Sequence, residues 1–95
     1  MELFLDTETT GFSHDKDRIV DIAIVDANGR VLLDTLVNPN RKIPHYASDV
    51  HGITDDMVRG MPNIYKLMPK IKKIADGNDV VAYNALFDES FFPNK

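Results

Sequence analysis

The chain has 95 residues, 43% hydrophobic and 27% charged, enough for one core and too few for a second domain. It contains no cysteine, which excludes disulfides and thiolate metal sites and leaves carboxylate, imidazole and backbone oxygen as metal donors. A net charge of −4 excludes broad electrostatic adhesion to a phosphate backbone, so a nucleic-acid substrate would be approached through metal ions and a few local Lys and Arg side chains.

Met1 leads straight into an alternating segment, and no run reaches the roughly 18 apolar residues of a membrane span, so a cytoplasmic chain with no membrane partner is expected. Glu2 to Asp6 places Leu3 and Leu5 on one face and Phe4 on the other, which predicts a short buried strand closed off at Gly11. Arg18 to Asp26 is a β-branched run too apolar for a solvated face, and it predicts a central strand. Asn28-Gly29 follows, suited to positive φ at both centres of a type I′ turn, and Val31 to Val37 returns as the second arm of an antiparallel hairpin. Asn38-Pro39 breaks that strand, and residues 39 to 53 are expected to form a long connection punctuated by Pro44 and Gly52.

Thr54 can cap one turn of helix through Arg59. Beyond Pro62, Ile64, Leu67, Met68, Ile71, Ile74 and Ala75 recur at helical spacing. Proline costs about 3 kcal/mol inside a helix, so a kink at Pro69 or a helix starting near Met68 is expected. Lys66, Lys70 and Lys73, with Lys72 beside them, lie opposite the apolar stripe and read first as a solvated face, with nucleic-acid guidance as the second reading. Gly77-Asn78 ends the helix, Asp79 to Tyr83 is a further strand, and Asn84 is placed to cap a helix bearing Leu86, Phe87 and Phe91. The order β, β, β, α, β, α describes an α/β layer opened by a hairpin.

Asp6 and Glu8, two apart on an extended segment, present their carboxylates on one side, where they repel unless a cation lies between them. A solvated polar strand end is the plain alternative. Thr7, Thr9, Thr10 and Gly11 surround the pair with small hydroxyls and permit close backbone approach. Asp88 follows a strand on the first turn of a helix, and it would join the other two if the first and fourth strands are neighbours. Alone, it reads as an acid placed to complement the helix dipole.

The segments DTETTG at Asp6 to Gly11, VHGIT at Val50 to Thr54 and NALFD at Asn84 to Asp88 together resemble the RNase T and proofreading-subunit exonucleases of the DEDD superfamily. The resemblance implies a ribonuclease H-like mixed sheet and 3′→5′ hydrolysis of phosphodiester bonds at single-stranded nucleic-acid 3′ ends. Its cofactors would be two divalent ions, Mg²⁺ or Mn²⁺. It gives Asp6 the bridging position, Glu8 the ion that activates water, and Asp88 the second ion. Thr7, Thr9, Thr10, Gly11, His51 and Asn84 fall around the terminal nucleotide, His51 with loop packing as its alternative role. Tyr83 stands where relatives commonly carry His, which puts the fine shape of the pocket in question.

The family's closing motif, a His followed by Ala two and Asp five residues later, is expected beyond Lys95. Residues 1–95 are thereby read as the N-terminal part of a single exonuclease domain, truncated after its second main helix. His45-Tyr46-Ala47-Ser48-Asp49 imitates that motif with the acid four residues on, and His14 sits in a charged loop. A polymerase subunit and a second copy of the chain are the partners this reading allows. The competing reading is a non-catalytic module, derived from such an exonuclease, that binds nucleic acid or a partner protein.

Overall fold

A computed structural model of the chain describes residues 1–11 and 17–82. The expectations for His14, for Tyr83, Asn84 and Asp88, and for a helix with Leu86, Phe87 and Phe91 lie outside the described residues.

A mixed sheet of four strands, in the order β3-β2-β1-β4, is formed by β1 (Glu2–Thr9), β2 (Ile19–Asp26), β3 (Val31–Leu36) and β4 (Asp79–Ala82). Both β1–β2 and β2–β3 are antiparallel, whereas β4 runs parallel to β1. Three helices lie between β3 and β4: α1 (His45–His51), α2 (Asp55–Val58) and α3 (Ile64–Ala75). None of the described helices is long and apolar enough to cross a membrane.

The β2–β3 hairpin forms as expected, but its turn is of another kind. Only Gly29 has positive φ, at 82°, and Asn28 does not. The Asp26 carboxylate instead accepts the backbone N–H groups of Asn28 and Arg30, each at 2.9 Å, and the Gly29 N–H returns to the Asp26 carbonyl at 3.0 Å. An aspartate that mimics the backbone thus makes a looser turn, with one left-handed glycine, sufficient. It also accounts for the burial of Asp26.

The connection expected over residues 39 to 53 contains α1. Pro44 sits at its N-terminal boundary, and Gly52, at φ 76°, ends it by donating its N–H to the Ser48 carbonyl. These two residues mark a helix start and stop rather than a loop. Thr54 occupies the N-cap position of α2 without a side-chain cap bond, and the neighbouring Asp55 carboxylate holds the Ile43 N–H at 2.8 Å.

The main helix starts at Ile64, well before Met68, because Asn63 caps it by accepting the Lys66 N–H at 3.0 Å. Pro69 lies inside the helix, where its missing N–H leaves the Tyr65 carbonyl without its helical donor. That loss falls on the outer side, since Pro69 is exposed while Leu67 and Ile71 are buried against the sheet. Lys66, Lys70, Lys72 and Lys73 are all exposed.

Cross-strand partners share a face, so the register sorts the sheet's side chains. Leu3, Leu5, Ile22, Ile24 and Leu33 lie under α3 and form the larger core with Leu67 and Ile71. Between Glu8 and Thr9 the register slips, pairing Glu8 with Asp21 and Thr9 with Ile19, so that Val20 is an extra residue. This bulge turns Val20 away from Ile19 and into a second core with Ile43, Ala47, Ile53 and Val58 of the α1–α2 layer.

Candidate active site

Strand β1 continues to Thr9, so Asp6 and Glu8 both stand on regular strand. They share the face away from α3, with side chains about 7 Å apart along the chain. The register places Ala23 and then Asp34 beside Asp6, and Asp21 and then Leu36 beside Glu8. This face is therefore apolar at one end, where Phe4 meets Val25 and Val81, and acidic at the other, where Asp6, Glu8, Asp21 and Asp34 gather. Among the described residues, no Lys, Arg or His pairs with Asp6 or Glu8.

The acids act on one another. Burial, followed by the negative charge of Asp34, pushes the Asp21 carboxyl above its ordinary value, with smaller contributions in the same direction from Glu8 and Asp6; a hydrogen bond from the Ile22 backbone opposes them. No three His, Asp or Glu side chains among the described residues lie close enough to hold one metal ion together. Asp6 and Glu8 supply hard oxygen donors of the type that suits Mg²⁺ or Mn²⁺.

Strand β4 pairs along β1 from Glu2↔Asp79 to Leu5↔Ala82, ending one residue short of the level of Asp6. The two strands point the same way, so the chain leaves β4 from the end of the sheet that carries the acids. The neighbouring first and fourth strands required by the sequence reading are present.

The far end of β1 is tied to the α1 region through His51. Its Nδ1 accepts the Ile53 N–H at 3.0 Å, which leaves Nε2 as the protonated nitrogen, donating to the Thr9 carbonyl at 3.1 Å. Both polar atoms of His51 are thus used within the protein, and what remains toward solvent is ring surface. A cavity of about 130 Å³ opens beside it, lined by Thr7, Glu8, Thr9, Gly11, Tyr46, Ala47, Val50 and His51.

Thr10 is not among the lining residues. It is buried at 1% exposure, donates its hydroxyl to Asp17 at 2.9 Å and accepts the Arg18 N–H at 2.9 Å. Gly11 is needed for the same contact: a Cβ there would lie 2.5 Å from the Asp17 carboxylate. These two residues hold the chain just past β1 to the start of β2, while Thr9 donates its hydroxyl to the Gly11 carbonyl. Sequence reasoning missed Tyr46 and Val50 as cavity residues, and their signal was an i, i+4 apolar pair bracketed by Pro44 and Gly52. Asp21 was also missed, because its place beside Glu8 follows from the pairing register of β1 with β2, which the local sequence does not reveal. His45 is exposed at the first position of α1 and does not line the cavity.

Comparison with known proteins agrees with this geometry. The RNase_T family, described as Exonuclease, matches residues 3–95. A DNA polymerase III subunit epsilon-like protein of Rhodobacter capsulatus is 47% identical over 96 residues, covering 95% of this chain and 14% of that protein. An uncharacterized exonuclease, CP81, of Escherichia phage 186 is 40% identical over 86 residues, covering 90% of this chain and 44% of its own. Among solved structures, exonuclease X in complex with 5′ overhanging duplex DNA superposes with a TM-score of 0.80 at 36% identity, covering 99% of this chain and 55% of that one. The fold is ribonuclease H-like, and the chain spans about half or less of the length of each of these relatives.

Proposed function

Because the chain belongs to the RNase T family of exonucleases, we propose that it carries the first part of a 3′→5′ exonuclease site that hydrolyses phosphodiester bonds at the 3′ ends of DNA. The observation that carries this reading is the pair Asp6 and Glu8, projecting from one face of β1 without a cationic partner among the described residues, beside a parallel β4. Two divalent ions at such a site would stabilise both the attacking and the leaving oxygen of an in-line displacement.

In this reading Asp6 and Glu8 would hold the divalent ions, Glu8 from the cavity side, since Glu8 lines it and Asp6 does not. Asp88, as a further carboxylate, and Asn84, as a contact to the terminal nucleotide, would complete this set by resemblance to the family, and both lie outside the described residues. Thr7, Thr9 and Gly11 form the cavity wall against which the terminal sugar is positioned. His51 fixes that wall by its bond to the Thr9 carbonyl and offers its ring surface to the nucleotide. Asp21 and Asp34 deepen the negative potential that draws cations to this end of the sheet. Its partners are nucleic-acid 3′ ends and, given the epsilon-like relative, a polymerase assembly.

The test is Mn²⁺ binding followed by line broadening or calorimetry on the wild-type chain and Asp6→Ala, with release of the terminal nucleotide from a 3′-labelled single strand as the activity readout. Loss of Mn²⁺ binding in the variant is expected. Equal binding by both would refute the site, and binding without turnover would favour the non-catalytic module.

A further inference from the structure

Four of the chain's 11 Lys and Arg residues, and none of its 15 Asp and Glu residues, fall in α3. Lys66, Lys70 and Lys73 follow one another at intervals of four and three, so they form one exposed column opposite Leu67 and Ile71. Lys72 stands apart, lining an apolar cavity between α3 and the sheet. Like charges at these spacings repel and work against the helix, and among the described residues no carboxylate pairs with any of the three. A face that serves only solvation commonly mixes both signs, and this one does not, in a chain of net charge −4.

The column also starts at a particular place. Asn38 donates its N–H to the Pro62 carbonyl at 2.9 Å, which brings the entry to α3 beside the end of β3, and Arg18, Asn38, Asn63 and Tyr65 line one small cleft there. That is the end of the sheet where Glu8 pairs with Asp21 and Thr9 with Ile19. Helix α3 therefore begins at the acidic end and runs away from it along the other face, its lysine column extending about 10 Å from Lys66 to Lys73.

We infer that Lys66, Lys70 and Lys73, reached past Arg18 and Tyr65, bind the phosphate backbone of a nucleic-acid strand upstream of its 3′ end. The inference rests on the function proposed above and carries the strand from the acidic end of the sheet round onto the outer face of α3. Cations in a column without acids suit the regularly spaced charges of a polyanion, whereas lysine is depleted at the cores of protein–protein interfaces. Such contacts fix the path of a strand and add affinity without reading its sequence.

The experiment measures binding of a thymidine dinucleotide and of a thymidine strand of about 16 nucleotides, the upper end of single-strand site sizes, to the 95-residue chain with Mg²⁺. Phosphorothioate at the last linkage guards both probes against cleavage, and salt is varied from about 50 to 200 mM. Wild type should bind the strand more tightly than the dinucleotide, by a margin that shrinks as salt rises. Lys70→Gln should make the fall of log affinity with log salt shallower by about 0.7, and the triple change Lys66→Gln, Lys70→Gln, Lys73→Gln by about 2, with the dinucleotide unaffected. Arg30→Gln, which removes one charge at the β2–β3 turn, should leave the slope as it is. Equal affinity of wild type for the two probes, an unchanged slope in the triple variant, or the same change from Arg30→Gln as from Lys70→Gln would each overturn the inference. Tighter binding of a polyglutamate peptide than of the strand, lost in the triple variant, would assign the face to an acidic protein instead. The Asp6→Ala Mn²⁺ experiment reports separately on the metal site, so either site can fail while the other stands.

Discussion

On the face of the sheet beneath α3, Leu3, Leu5, Ile22 and Ile24 are buried, whereas on the opposite face their chain neighbours Phe4, Asp6, Ala23 and Val25 are exposed or half-buried. Both sets alternate along the same two strands, one residue apart. Period-two geometry lets a single strand hold the fold with one set of side chains and present chemistry with the other. The difference implies that stability and metal affinity can be separated by mutation at adjacent positions of β1.

Substitutions on the covered face should have the largest effect. Leu3 is fully buried, so Leu3→Ala should cost about 2–5 kcal/mol, read as a lowered denaturation midpoint, and any loss of Mn²⁺ binding should follow the loss of folded protein. Asp6→Asn should invert that pattern. Removing even an outer-shell partner typically costs about 10- to 100-fold in metal affinity, so the loss of a carboxylate proposed to coordinate directly should cost at least that, with no fall in the thermal midpoint. If the two variants lost stability and Mn²⁺ binding in the same proportion, the faces would not be independent.

Two smaller effects sharpen the contrast. His51→Ala removes two hydrogen bonds that join the α1 region to β1, and a loss of about 1–2 kcal/mol in denaturant unfolding is expected. A neutral outcome would show that the Thr9 and Ile53 backbone groups find water instead. Asp21 holds its proton more tightly in the folded chain, so its contribution is full in acid and is lost as pH rises through its raised folded value. Asp21→Asn should therefore raise the thermal midpoint slightly at neutral pH, leave it nearly unchanged near pH 3, and gain less when Mg²⁺ is present. A gain that is largest in acid would reverse the assigned electrostatics.

The hairpin, the central place of β2 and the end of α3 at Gly77-Asn78 were legible because each is written in neighbouring residues. Asp6 and Glu8 were legible for the same reason, through their spacing. Helix α1 was not, since Pro44 and Gly52 punctuate loops and helices alike and only the burial of Ala47 decides between them. The early start of α3 was obscured by the cost assigned to Pro69, which tertiary packing of Leu67 and Ile71 outweighs. The type I′ turn failed because a side chain, Asp26, took over a task that backbone statistics assign to the dipeptide. Asp21 beside Glu8 and the closure of the cavity by Tyr46 depend on register and on contacts between distant segments, which no local pattern encodes.

The pairing of β4 with β1 also bears on the order in which the molecule assembles. The β1–β2–β3 meander joins segments close in sequence, so its loops close early and at little entropic cost. Alignment of β4 beside β1 brings together the two extremes of the described chain and must await the helices between them. The acids Asp6, Glu8, Asp21 and Asp34 all stand on the early meander, so the late step adds only the edge strand beside Glu2 to Leu5. A chain released before β4 docks would already hold Asp6 and Glu8 in register with β2, while its β1 edge still lacked a partner.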